Sequence, residues 1–242
     1  MRNKMVLILS LCISPMFIQF AHADEVQSFK SESEAGVVLT GGNTDVSTLS
    51  FKHSDTVTHE LNSYHFDGRY LRASNAGIEQ ALQWGLGLKY ERSLNDRIGV
   101  FLGQLVESNI YQNIFQRYAT DLGLKYVFHR EEKVLVWLGE GGYRFTRENY
   151  ESSFKNISFF RLYTEVEKYF AETISGKLGL EYLPNLSEWK GYQFNGNVSL
   201  NTVISSIFSL KNAFELRYNN DAPAGVKSAS DRTFTTSLVA KI

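Results

Sequence analysis

The stretch Tyr192-Gln-Phe-Asn-Gly-Asn-Val-Ser-Leu-Asn-Thr202 decides the fold. Its even positions, Tyr192, Phe194, Gly196, Val198, Leu200 and Thr202, stand against Gln193, Asn195, Asn197, Ser199 and Asn201. Successive side chains of an extended chain point to opposite faces, whereas a helix places its apolar residues three and four apart. The alternation therefore predicts a strand with one apolar and one polar face.

The same pattern runs outward from there. Leu82, Trp84, Leu86, Leu88 and Tyr90 oppose Gln83, Gly85, Gly87 and Lys89; Leu122, Leu124 and Tyr126 oppose Arg117, Asp121 and Lys125; Leu210, Phe214 and Leu216 oppose Lys211, Glu215 and Arg217. Twelve strands are predicted, near 33–41, 46–57, 63–73, 79–92, 98–107, 115–128, 134–147, 157–170, 175–186, 191–203, 208–219 and 231–242. Parity is ambiguous in two of them. In the second, Leu49 and Phe51 share a face with His53 and Asp55; in the fifth, Phe101 and Leu105 oppose Val100 and Leu102. Short turns are expected after the even strands and longer, varied segments after the third, fifth, seventh, ninth and eleventh, such as Arg147 to Asn156 and Asn220 to Ser230. A barrel with both termini in the periplasm shows that order.

The polar face carries Lys52, Arg69, Lys89, Arg117, Lys125, Arg144, Arg161, Lys177, Lys211 and Arg217, with Asp67, Glu91, Asp121, Glu140, Glu165, Glu167, Glu181 and Glu215. Alternation alone fits a soluble sheet as well. The apolar face discriminates, because its aromatics crowd toward strand ends: Tyr64 and Tyr70, Tyr90, Tyr126 with Phe128, Phe208 and Tyr218. Rings at both rims with aliphatic residues between them are what two membrane interfaces select. Twelve strands would also leave two long edges in an open sheet, and closure removes them. The predicted fold is all-β, a transmembrane antiparallel up-and-down β-barrel of about twelve strands, with hydrocarbon outside and polar groups enclosed.

The N-terminus fits that destination. Arg2 and Lys4 precede an apolar run from Met5 to Phe20 and then Ala21-His22-Ala23, the layout of a secretory signal peptide cleaved after Ala23. Residues 24–32 are expected as a short periplasmic segment and 33–242 as the barrel in the cell outer membrane. The 25 basic and 26 acidic residues become 23 and 26 once Arg2 and Lys4 are removed, so no basic footprint for nucleic acid remains. Cleavage also removes Cys12, the only cysteine, which excludes thiol chemistry and cysteine metal sites. No cofactor is implied. The expected partners are outer-membrane lipid and, during biogenesis, the barrel assembly machinery.

The segment Gly36-Val-Val-Leu-Thr-Gly-Gly-Asn-Thr-Asp45 resembles the opening signature of the YdiY-like family of salt-induced outer-membrane proteins, whose domain has no assigned function. Gly139-Glu-Gly-Gly-Tyr-Arg144 is similar to a second family feature, a Gly-rich strand ending in Tyr-Arg. The resemblance covers roughly 34–242 and implies location and fold. One departure is the C-terminal Lys241-Ile242, where that family ends in an aromatic residue. Independently of the family, Gly41, Gly42, Asn43, Thr44 and Asp45 make a hairpin signature. The first three tolerate positive φ, and Thr44 and Asp45 can bond the turn backbone.

A lipid hydrolase is the enzyme to weigh, since some outer-membrane barrels of this size are phospholipases with a Ser-His-Asn site facing lipid. His59 and His129 fall at inner turns and His65 faces inward, leaving His53 with Ser54 and Asp55 beside it. Strand neighbours point to opposite faces and cannot form a triad together. The histidines lack metal-ligand spacing, so no catalytic or metal residue is assigned. The remaining constellation is the inward charge, with Arg69, Lys89, Arg117, Asp121, Lys125, Arg144, Arg161, Glu165, Glu181, Lys211, Glu215 and Arg217 as the expected lumen lining. A wet lumen of mixed charge makes a small porin-like passive channel for ions or small hydrophilic solutes; ion pairs that fill it make a non-conducting barrel serving envelope or osmotic stress.

Overall fold

The computed structural model describes residues 28–40, 46–75, 78–110, 113–188, 190–221 and 229–241. Twelve strands run β1 Ser28–Thr40, β2 Val46–His59, β3 Asn62–Asn75, β4 Ile78–Ser93, β5 Ile98–Asn109, β6 Ile114–Glu131, β7 Leu135–Asn149, β8 Phe154–Ala171, β9 Ile174–Pro184, β10 Tyr192–Val203, β11 Phe208–Asn219 and β12 Ser230–Lys241. Each pairs antiparallel with its neighbours in sequence, and β12 returns to β1 to close the barrel. Among the described residues that seam is the shortest ladder, from Glu32↔Lys241 to Ala35↔Leu238.

The two faces are wetted as the alternation predicts. Large apolar side chains point out, with Leu88 at 62% exposure, Leu122 at 62% and Phe234 at 68%, while Glu34, Glu107, Glu140 and Glu148 are buried within. A soluble protein would invert this. Outward rings gather in two groups. Tyr64 packs on Tyr90, and Phe128 on Tyr126 and Trp137, toward the short-turn end; Tyr192 contacts both Tyr182 and Tyr218 near the opposite end.

The even-numbered strands end in tight turns, two of which place Glu60 and Lys133 at positive φ. The odd-numbered connections differ in length from the predicted ones, the β9–β10 connection being longer, at 185–191 rather than 187–190. The β7–β8 connection is 150–153 rather than 147–156, because both strands continue their ladder as far as Asn149↔Phe154. β1 starts at Ser28, so 28–32 are strand paired with β2, ahead of the predicted barrel start at 33. Its alternation was illegible there because Ser31 and Ser33 are polar on the same face as Phe29, while Lys30, Glu32 and Glu34 fill the other. Residues 1–23 and the signature at 41–45 lie outside the described residues, although Thr40 and Val46 on either side of the signature are paired.

One irregularity shapes the interior. Gly123 and Gly142 are cross-strand partners on β6 and β7. A Cβ on Gly142 would lie 2.3 Å from the Leu122 carbonyl oxygen, and one on Gly123 would lie 2.7 Å from the Phe101 ring. Their missing side chains let the two strands approach closely and let Phe101 lie against the wall. The ambiguous fifth strand thus resolves with Phe101 inward at 2% exposure and Leu102 outward at 51%.

Candidate functional site

The inward rows of most strands carry charged residues at alternate positions, and pairs of opposite sign meet across the interior. On one side of the lumen Arg144 donates to both oxygens of Asp121, at 2.6 and 2.7 Å, and to Glu181 at 3.1 Å. Arg161 donates to Glu181 at 2.6 Å and to Glu140 at 2.7 Å, and Glu140 also accepts from Lys89. Lys125 is bonded to Glu91, Lys177 to Glu165 and Lys211 to Glu34. Lys52 reaches Glu215, three strands away around the wall. Such pairs exceed the adjacent-strand ion pairs of a flat sheet, since β4 meets β7 and β2 meets β11 through the interior.

The hub is Glu107. It accepts from Arg69 on β3 and from Arg117 at 2.7 Å on β6, and its carboxylate lies 3.6 Å from Arg217 on β11. β5 and β11 are six strands apart in either direction, so Glu107 and Arg217 join opposite walls. Asn109 reaches across similarly to Asp231 at 3.4 Å. Arg117 passes the chain upward to Glu148 at 2.6 Å, and Glu148 accepts from the Tyr150 hydroxyl in the β7–β8 connection. Burial first, and then the Glu148 carboxylate, push that tyrosine hydroxyl above its ordinary range.

The lumen is not filled. Two cavities of about 430 and 570 Å³ adjoin, sharing Arg69, Leu105, Tyr163, Lys211 and Glu215 in their linings. A third of about 130 Å³ lies beside Phe101, over which the Lys89 ammonium stands 4.6 Å from the ring centroid.

Of the residues singled out from sequence, Arg69, Lys89, Arg117, Asp121, Lys125, Arg144, Arg161, Glu165, Glu181, Lys211, Glu215 and Arg217 all take part in interior ion pairs. Sequence reasoning missed Glu107, Glu148 and Glu34. Glu107 sits in the strand with apolar residues on both faces, Glu148 lies one residue beyond the predicted end of its strand, and Glu34 lies in the polar start of β1. A count of inward carboxylates against inward cations would have shown acids missing. The candidate set around His53 separates as strand alternation requires. Ser54 shares the inward row with Lys52, whereas His53 and Asp55 share the outer face with Leu49 and Phe51, His53 lying beside Phe66.

Residues 33–242 match the model of a family described as "Protein of unknown function, DUF481". The chain belongs to the DUF481 family. No curated protein matches it in sequence. Among solved structures, this DUF481 barrel superposes on the COG4313 outer membrane channel from Pseudomonas putida F1 with a TM-score of 0.51 at 12% identity, over 90% of this chain and 96% of that one. The NanC porin gives 0.48 at 9%, over 88% and 98%, and the KdgM porin 0.45 at 12%, over 88% and 96%. At these identities the likeness to the channel bears on fold alone.

Proposed function

We propose that this barrel sits in the cell outer membrane as a narrow, porin-like passive channel for ions or small hydrophilic solutes. The observation that carries the reading is the pair of adjoining cavities of about 430 and 570 Å³ inside a closed wall, lined by both signs of charge. Fixed mixed charge at close quarters favours small hydrated ions over apolar solutes and sets a barrier that depends on ionic strength. The lining residues Arg69, Lys211 and Glu215 are the groups a permeating ion would meet. Outer-membrane lipid surrounds the wall in this reading, and the assembly machinery of that membrane inserts it.

A second reading has its own support. The Glu107–Arg217 contact joins opposite walls, and a lumen barred by that pair is a sealed scaffold. A scaffold of that kind fits the resemblance to salt-induced envelope proteins. Purified protein reconstituted in a planar bilayer separates the two. Discrete conductance steps above the detergent control support the channel, and a silent bilayer with protein demonstrably inserted supports the scaffold.

A further inference from the structure

The outer wall holds a polar chain where hydrocarbon-facing residues are expected. Ser33 on β1 is the register partner of His53 on β2, and its Oγ lies 2.9 Å from His53 Nδ1. His53 Nε2 lies 3.1 Å from Asp55 Oδ2, two residues further along the same face. A carboxylate only accepts, so in the neutral ring Nε2 carries the proton and donates it to Asp55. That leaves the Nδ1 lone pair to accept from the Ser33 hydroxyl. Among the described residues Asp55 Oδ1 is buried without a hydrogen-bond partner, so His53 is the group this carboxylate serves. Nucleophile, base and orienting acid within hydrogen-bond reach of one another are the signature of an activated serine.

Position on the wall matters as much as distance. On β2 the outward row is apolar at Leu49 and Phe51, polar at His53 and Asp55 and apolar again at Val57. On the neighbouring seam strand, Phe234 and Leu238 are exposed to lipid, and β12 ends at Lys241, one register step past the partner of Ser33. Beyond the trio the face is apolar again at Val57 and its exposed partner Phe29, level with Tyr64 and Tyr90, so the trio lies just inside the aromatic rim on the short-turn side. That is the depth at which lipid ester groups meet water, whereas a carboxylate deeper in hydrocarbon would be costly. Ser31, one same-face position before Ser33 and opposite Asp55, adds a second hydroxyl there.

We propose that Ser33, His53 and Asp55 form an acyl-ester hydrolase site on the lipid-facing wall, acting on glycerophospholipid esters of the surrounding leaflet. Ser33 Oγ attacks the ester carbonyl carbon as its proton passes to His53 Nδ1. The carbon–oxygen bond to the glycerol breaks, and the leaving alkoxide takes that proton. Water then attacks the acyl-serine, giving one proton to His53, which returns it to Ser33 Oγ as the fatty acid departs. Asp55 is a positioning residue that holds the imidazole tautomer.

The full barrel is reconstituted in phosphatidylethanolamine and phosphatidylglycerol vesicles and treated with an alkyl fluorophosphonate; released fatty acid is measured in parallel. The expected result is a phosphonyl adduct mapped by mass spectrometry to Ser33, with fatty-acid release lost in Ser33→Ala and His53→Gln. Asp55→Asn should lower kcat at least tenfold with KM little changed. Ser47→Ala, an outer-wall hydroxyl near the far end of β2, should retain both adduct and turnover. Heat-modifiable gel migration verifies that each variant is a folded barrel. No adduct on Ser33 in the folded wild type, or equal release from wild type and Ser33→Ala, overturns the proposal and leaves the trio as a self-satisfied hydrogen-bond chain.

Discussion

Replacing Glu107 by Gln keeps the side chain's size and removes the one carboxylate that touches Arg69, Arg117 and Arg217 together. Arg117 retains Glu148 at 2.6 Å, but the bridge between opposite walls loses its negative end. Two consequences follow, with separable magnitudes. Removing one partner of a buried ion pair leaves uncompensated charge and costs roughly 3–5 kcal/mol; Glu107 is only 6% exposed and falls in that class. The denaturant midpoint of the barrel in detergent should drop accordingly. For permeation, a unit charge about 5 Å from an ion in a water-filled lumen contributes about 0.8 kcal/mol at the dielectric of water. That corresponds to about a fourfold change in the local concentration of each ion, in opposite senses for anions and cations. The anion-to-cation permeability ratio of Glu107→Gln should therefore rise about sixteenfold at low salt. It should return toward the wild-type value near 1 M, where the screening length is about 3 Å. Reversal potentials across a KCl gradient measure it. An unchanged reversal potential together with an unchanged denaturant midpoint would refute the assignment of Glu107 as the hub of the lumen.

Arg217→Ala removes the other end of the cross-lumen contact without touching the Arg69 and Arg117 pairs, and is expected to raise single-channel conductance in the planar bilayer; a conductance at or below wild type contradicts the barrier role. Gly142→Ala sets a Cβ 2.3 Å from the Leu122 carbonyl oxygen, a backbone atom that cannot swing away. Overpacking of this kind costs about 1–3 kcal/mol, which thermal unfolding in detergent should register as a lower midpoint, whereas Gly68→Ala, with nothing nearer than 3.7 Å, should be near neutral. Phe101→Ala takes away the ring beneath Lys89 and the buried contact with the wall, a loss of roughly 3 kcal/mol, and it enlarges the cavity of about 130 Å³ beside it; a melting temperature equal to wild type would show that the ring is not packed as described.

The strand count, the antiparallel order and the sense of the wall are local properties, and the amino-acid sequence determined them. Period-two alternation at Tyr192–Thr202 and Leu82–Tyr90 requires no distant partner to be read, and short turns join each even strand to the next in order. Legibility failed where the alternation carries no contrast. β5 has Phe101 and Leu105 on the wet side, and the start of β1 has Ser31 and Ser33 on the oily side. What only the tertiary structure decided is which charges meet and where polar groups collect on the outer wall. Glu107 and Arg217 are 110 positions apart and become neighbours because closure brings β5 opposite β11 across a narrow lumen. Ser33 reaches His53 through a register set by a hairpin, and Asp55 joins them because a strand returns to the same face every second residue. Alternation tells a residue which side it faces; the curvature and stagger of the closed sheet tell it whom it meets there.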